Sequence, residues 1–210
     1  MRGVFAAALV LIPVNALAHP HVWVTSQTEV LFDEAENITG LRHVWTFDEA
    51  YSAYVTQGLD TNGDGAISPE ELQELAEINA TSLIDFDYFT VVKADGAAQE
   101  FGAPADYGMV YENDRVTLTF DLPLSSPARA SKALVLEVYD PTYYVSFRME
   151  EGDDAVRMVG GPEGCATNIT RPATVDIAEV QNLSEAFFEA LTAAESFGDQ
   201  FANRAMIACP

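Results

Sequence analysis

The chain has 210 residues, with 10 Lys and Arg against 33 Asp and Glu, and a formal charge of −23. That balance argues against a basic nucleic-acid-binding face, which needs clustered Lys and Arg to neutralise phosphates, and against an anionic membrane surface for the same reason. With 49% hydrophobic and 10% aromatic residues the chain is no disordered acidic tail, and its length suits one domain, or one domain with an insertion, around a sizeable core.

Residues 1–18 read as a signal peptide. Arg2 gives a positive start, an apolar run follows from Val4 to Val14, and Ala16-Leu17-Ala18 has the small-x-small pattern of a cleavage site. Cleavage after Ala18 leaves a single β-rich domain over 19–210 and predicts export to the periplasm. Val22 to Asp33 and Ile38 to Phe47 are rich in Val, Thr and aromatic residues around a polar break at 34–37, which predicts a β-hairpin. From 48 to 82 the apolar spacing moves to three and four, with Tyr51, Tyr54 and Val55 marking one helix face and Leu72, Leu75 and Ala76 another. Strand signals return at Tyr88–Lys93, Arg115–Phe120, Ala133–Tyr139, Tyr143–Met149 and Ala166–Thr170, punctuated by turns at Asp95-Gly96, Asn113-Asp114 and Asp140-Pro141. A final helix is expected from Asp176 through Ser196. The fold class is therefore mainly β (α+β), a β-sandwich-like domain carrying an inserted EF-hand helix-loop-helix at 48–82 and a C-terminal helix.

The strongest chemical signal lies in the insert. The twelve residues from Asp60 to Glu71 match the EF-hand calcium loop at each constrained place. Calcium is a hard cation that takes six to eight oxygens. The loop offers side-chain oxygens from Asp60, Asn62, Asp64 and Ser68, the carbonyl of Ala66 and a bidentate carboxylate from Glu71. Gly65 stands at the sharp turn, Ile67 is placed to pin the loop to the body, and Ser68, Pro69 and Glu71 have the order of a helix start with a capping box. A single loop, in place of the usual pair, favours a constitutive clamp over a switch.

The second signal is the processed amino terminus, His19-Pro20-His21-Val22-Trp23. It brings together an α-amine and two imidazoles, all ligands for Ni²⁺, Co²⁺, Zn²⁺ or Cu²⁺. Pro20 lacks the amide N–H that a square-planar x-x-His mode deprotonates, which leaves a chelate of the His19 amine and imidazole completed by His21 and other groups. With a turn at 34–37, His21 falls opposite Asp48 and Glu49, so those carboxylates are the expected further ligands. His43, opposite Gln27, lies about 20 Å away along the sheet and is expected to be an ordinary packed or surface histidine. The alternative is that His19 and His21 merely begin a strand.

Cys165 and Cys209 agree with export: an isolated pair in an oxidising compartment is expected to be bonded, and closing a loop of about 45 residues stabilises a fold by about 4 kcal/mol in the chain-entropy treatment.

Together the start at His19, Trp45-Thr46-Phe47-Asp48-Glu49, the Asp60–Glu71 loop, Asp87-Tyr88-Phe89, Leu136-Glu137-Val138-Tyr139-Asp140-Pro141-Thr142-Tyr143 and the late cysteine pair resemble a bacterial periplasmic family of unknown function, catalogued as the periplasmic component of an uncharacterised ABC-type transport system. The resemblance covers essentially the whole processed chain. Its members are commonly encoded beside NicO-type nickel/cobalt permeases, which implies a role in transition-metal handling and an inner-membrane permease as partner. No nucleophile elbow, phosphate-cradling glycine loop or His-Glu-x-x-His motif is present, so no enzyme is expected and no residue is read as catalytic. The expected function is an exported calcium-binding accessory protein that binds a transition metal at its processed amino terminus and assists a membrane metal permease. The alternative is a non-enzymatic periplasmic adaptor or ligand-binding β-domain with a purely structural calcium site.

Overall fold

A computed structural model describes residues 20–172 and 198–209. The expected leader, His19 and the expected helix from Asp176 through Ser196 lie outside the described residues. Strands β1 (Val22–Phe32) and β2 (Ile38–Phe47) form the expected antiparallel hairpin, inward apolar residues alternating with outward polar ones. Asp33 ties the turn: its Oδ1 accepts from the amides of Ala35 and Asn37 at 2.9 and 2.8 Å. Phe32 faces Ile38, but a bulge between Leu31 and Phe32 moves the rest of the ladder by one residue, so His43 opposes Thr28, not Gln27.

The insert holds two short helices, α1 (Glu49–Val55) and α2 (Gln73–Ser82). The face expected of α1 is rotated. Ser52 is its buried residue, because its Oγ accepts from the Val116 amide at 3.0 Å, and Tyr54 is consequently turned out to 73% exposure. Leu72 and Ala76 are buried as expected. A 3₁₀ segment from Leu83 to Phe89 follows, ending in Asp87, Tyr88 and Phe89 at φ of 48°, 54° and 48°. Three successive side-chain-bearing residues in the left-handed region are costly, at about 1 kcal/mol or more each, and hold only because neighbouring packing over-determines them.

The remaining strands are β3 (Thr90–Ala94), β4 (Ala97–Ala98), β5 (Ala105–Glu112), β6 (Arg115–Ala128), β7 (Leu134–Val138), β8 (Val145–Met149), β9 (Val156–Val159), β10 (Ala166–Thr170) and β11 (Asn203–Ala208). Two sheets result, one in the order β5-β6-β2-β1-β8 with β9 also on β1, the other in the order β10-β11-β7-β3-β4. The free edge of β1 is covered by two short parallel strands in succession, β8 along Val22–Ser26 and β9 along Thr28–Leu31. The inward residues of β6 (Val116, Leu118, Phe120, Leu122) meet Leu134, Leu136 and Val138 of β7 and Ala205 and Ile207 of β11 in the shared core. Gly40 permits the close approach of β2 and β6: a Cβ there would lie 2.8 Å from the Leu122 carbonyl oxygen. Cys165 and Cys209 are disulfide-bonded beside the β10–β11 ladder, fastening the chain end to the second sheet.

Polar side chains cross the core at two places. Asn203, fully buried, accepts from the Met149 amide at 2.9 Å and donates to the carbonyls of Phe147 at 2.8 Å and Val138 at 3.3 Å, which joins β8 of one sheet to β7 of the other. His43, also fully buried, sits between Thr28 Oγ1 (3.1 Å from Nδ1) and Thr90 Oγ1 (3.3 Å from Nε2). The Thr90 hydroxyl donates to the Tyr88 carbonyl, so it must accept from Nε2–H, leaving Nδ1 to accept from Thr28. Both ring nitrogens are satisfied by a neutral imidazole, and burial pushes the His43 pKa down to about 3.

The unfolded chain takes up this proton near pH 6.5 and the folded chain only near 3, so the stability that His43 confers is full above pH 6.5 and falls as pH drops. Between pH 7 and pH 5 the wild type is expected to lose about 2 kcal/mol more than a His43→Gln variant, as measured by urea unfolding at the two pH values. Equal losses would show that His43 does not set the acid sensitivity.

Candidate metal centre

The acidic loop lies between α1 and α2 and is closed upon itself by its own carboxylates. Asp60 Oδ1 accepts from the amides of Gly63 and Asp64 at 2.8 and 3.2 Å, and its Oδ2 from Gly65 at 3.0 Å. Asn62 Oδ1 accepts from the Asp64 amide, and Asp64 Oδ1 from the Ala66 amide, both at 2.8 Å. At the far end Glu71 reaches back: Oε1 accepts from the amide and hydroxyl of Thr61, each at 2.8 Å, and Oε2 from the amide and hydroxyl of Ser68, each at 3.0 Å. The Glu71 amide in turn donates to Ser68 Oγ at 3.3 Å, so the two residues bond reciprocally in the turn ahead of α2, whose own N-cap is Leu72, without a side-chain cap bond, and not the expected Ser68. Hydrogen bonds from Ser68 and Thr61 hold the Glu71 carboxyl down to a pKa of about 2, so it is ionised at neutral pH. Gly65 has φ of 84°, a left-handed turn that admits glycine readily. Ile67 is half-buried against the core, and the loop borders a shallow depression shared with Tyr111, Asn113 and Asp114 of the β5–β6 turn.

Among the described residues, no three His, Cys, Asp or Glu side chains converge as a metal-holding group. The carboxylates of Asp60, Asp64 and Glu71 are directed at amide and hydroxyl donors and do not share a common point. The donor chemistry still fits a hard cation: five oxygen-bearing side chains and the Ala66 carbonyl lie in one loop, drawn together by the bond from Thr61 to Glu71.

At the amino-terminal face, His21 is exposed immediately ahead of β1, its amide donating to the Tyr144 carbonyl at 2.9 Å and its ring 4.6 Å from the Tyr144 ring. Tyr144 is positioned by the Asp140 turn: buried Asp140 accepts from the amide and hydroxyl of Thr142, each at 2.8 Å, and from the Val145 amide at 2.9 Å. Asp48 does come to this end of the sheet, but in a structural role. Its Oδ2 accepts from the Trp23 amide at 2.9 Å, while Oδ1 accepts from the amides of Ala50 and Tyr51 at 2.9 and 3.0 Å and so caps α1. Glu49 is turned to Arg115 at 2.9 Å. His43, as expected of a packed histidine, takes no part.

One feature of this end left no signal in the sequence. Between β1, β2, β8, the 3₁₀ segment and α2 lies an apolar cavity of about 550 Å³, walled by Trp45, Phe147, Phe89 and Leu118 and bordered at its mouth by Phe86 and Tyr144. Its residues are scattered along the chain from Val22 to Phe147, and only the fold assembles them. No helix of the described residues is long and apolar enough to cross a membrane.

Comparison with known proteins adds a family and no activity. The chain is 26% identical over 203 residues to an uncharacterized protein of Haemophilus influenzae, covering 93% of each. It is 26% identical over 106 residues to an uncharacterized 15.5 kDa protein in the trpE 3′ region of Spirochaeta aurantia, covering 50% of this chain and 76% of that one. Residues 4–209 match the family described as "Protein of unknown function (DUF1007)", and the chain belongs to that family.

Proposed function

We propose that this protein is an exported, calcium-binding accessory protein that takes a first-row transition metal at its processed amino terminus and assists a membrane metal permease. The observation that carries the calcium part is the closure of the loop, in which Glu71 at the last position is bonded to Thr61 at the second, so that all six donor residues belong to one compact turn. Asp60, Asn62, Asp64, Ser68 and Glu71 would hold the ion with the Ala66 carbonyl. The ion would supply a cross-link between the two helices of the insert.

The transition-metal part rests on ligand chemistry. The His19 amine and imidazole and the His21 imidazole are borderline ligands suited to nickel, cobalt, zinc or copper. His21 is exposed, and its main chain is fixed by the bond to Tyr144. Asp48 and Glu49 would join only by giving up the α1 cap and the Arg115 pair, so His19 and His21 form the heart of the proposed chelate. The permease comes from the family resemblance drawn from the sequence, and the ligand set is consistent with that role.

Two experiments test the two parts separately. Thermal unfolding with calcium at a hundredfold excess over its Kd is expected to show about 2.7 kcal/mol of stabilisation over the chelator-treated protein. Glu71→Gln should abolish that difference, since glutamine keeps one acceptor oxygen for Ser68 but loses the charge and the second acceptor, which faces Thr61. A melting temperature indifferent to chelator would remove the calcium part. Calorimetric titration of processed protein with nickel, cobalt, zinc and copper is expected to give one equivalent bound, lost in His21→Ala and weakened at least tenfold by one extra residue ahead of His19. Affinity unchanged in both would remove the amino-terminal site.

A further inference from the structure

The cavity between the helical insert and the amino-terminal end of the first sheet has the attributes of a ligand site. Its volume of about 550 Å³ falls in the range of small-molecule pockets and exceeds what one inserted side chain fills. Its rim is unusually apolar for a surface: Ile78, Phe86 and Tyr144 are 55%, 56% and 50% exposed, and all three line it. The lip is held at a conformational cost, since the left-handed run Asp87-Tyr88-Phe89 stacks Phe86 on Phe89 at a ring separation of 5.3 Å.

A second observation concerns hydrogen bonding. Trp45, which lines the cavity and is 2% exposed, has an indole N–H with no acceptor among the described residues. A buried donor without a partner is rare and points to an absent acceptor. The charge of the ligand follows from what surrounds it. Among the described residues no Lys or Arg lines the cavity, so an anion would find no counter-charge there, and the field of a chain at −23 opposes it further. A cation fares little better, because Asp140, the carboxylate of the lining, already accepts from Thr142 and Val145.

We propose that this cavity binds a small uncharged molecule with a ring-sized apolar body and one hydrogen-bond acceptor, the acceptor meeting the N–H of Trp45. The site is separate from the acidic loop and from the amino-terminal histidines, and binding requires neither ion.

The test uses the whole processed protein and two fluorescent probes of similar ring size, uncharged N-phenyl-1-naphthylamine and anionic 1-anilinonaphthalene-8-sulfonate. The uncharged probe is expected to saturate at one equivalent, with the anion at least tenfold weaker. Phe86→Ala and Ile78→Glu, both at exposed rim positions, should each weaken the uncharged probe at least fivefold while leaving the unfolding transition in place. Displacement by 2-acetylnaphthalene should be about tenfold more effective than by 2-isopropylnaphthalene, which lacks the acceptor, and Trp45→Phe should level the two. Absence of saturable binding, equal affinity for the two probes, or affinity unchanged in both rim variants would overturn the site. Equal displacement by the two naphthalenes in the wild type would overturn the role of Trp45.

Discussion

The carboxylate of Asp48 joins the start of the first sheet to the helical insert. One oxygen accepts from the Trp23 amide at the start of β1 and the other from two amides at the start of α1, while the Asp48 amide donates to the Trp23 carbonyl at 2.9 Å. A single side chain thus ties the start of the first strand to the start of the helical insert. Such charge-assisted bonds are stronger than neutral ones, and the cap alone is worth on the order of 1 kcal/mol. Ser52, one turn on, donates to the Asp48 carbonyl at 2.6 Å and accepts from Val116 of β6, so the insert is bolted to the sheet through its first helix. Removing this aspartate would loosen the His21 end of β1 and the acidic loop together.

Two polar side chains of the sandwich interior complete bonds between elements that would otherwise be related only by apolar packing, whereas Trp45 Nε1 and Ser26 Oγ have no partner among the described residues. Asn203 joins β8, β7 and β11, and His43 joins β1, β2 and β3. On the outer face the same economy governs the scarce cations. Arg42 forms a bidentate pair with Asp121 at 2.6 and 2.7 Å and lies 3.6 Å from Glu29, which also receives Arg157 at 2.6 Å, making a row across β9, β1, β2 and β6. Arg204 and Lys93 converge on Glu137 across β11, β7 and β3. Cations engaged in holding strands in register are not gathered into a patch, which is why the acidity read from composition persists as a surface property after folding.

The legibility of the fold in the sequence divides along physical lines. The β1–β2 hairpin and the reciprocal Ser68–Glu71 bonds were readable because each depends on residues near one another in the chain. Asp95-Gly96 and Asn113-Asp114 were readable as turns for the same reason, all four adopting positive φ. What escaped depends on distant partners. β9 and β11 are short and have no alternation strong enough to announce them. β5, from Ala105 to Glu112, has outward residues nearly as apolar as its inward ones. The parallel pairing of β8 and β9 with β1 cannot be inferred from spacing suited to hairpins. The bulge at Leu31 shifted the expected register by one residue. For the candidate sites, the loop donors were legible as a local motif, whereas the true role of Asp48 required knowing that Trp23 would present its amide there.

The sharper lesson concerns how the sites are coupled in space. Helix α2 begins two residues after Glu71, the last residue of the acidic loop, and farther along it contributes Ile78, Asn79 and Ser82 to the cavity wall. The strained residues that carry Phe89 follow within a turn and a half. Tyr144 closes the arrangement, lying against His21 on one side and lining the cavity on the other. A ten-residue helix transmits displacement as a nearly rigid rod, because its backbone bonds leave little freedom between its ends. Helix α2 therefore runs as a single element from just after the loop to the cavity wall, and Tyr144 stands between His21 and the cavity. The acidic loop, the amino terminus and the apolar cavity are chemically distinct, yet α2 and Tyr144 place the first two next to elements that line the third.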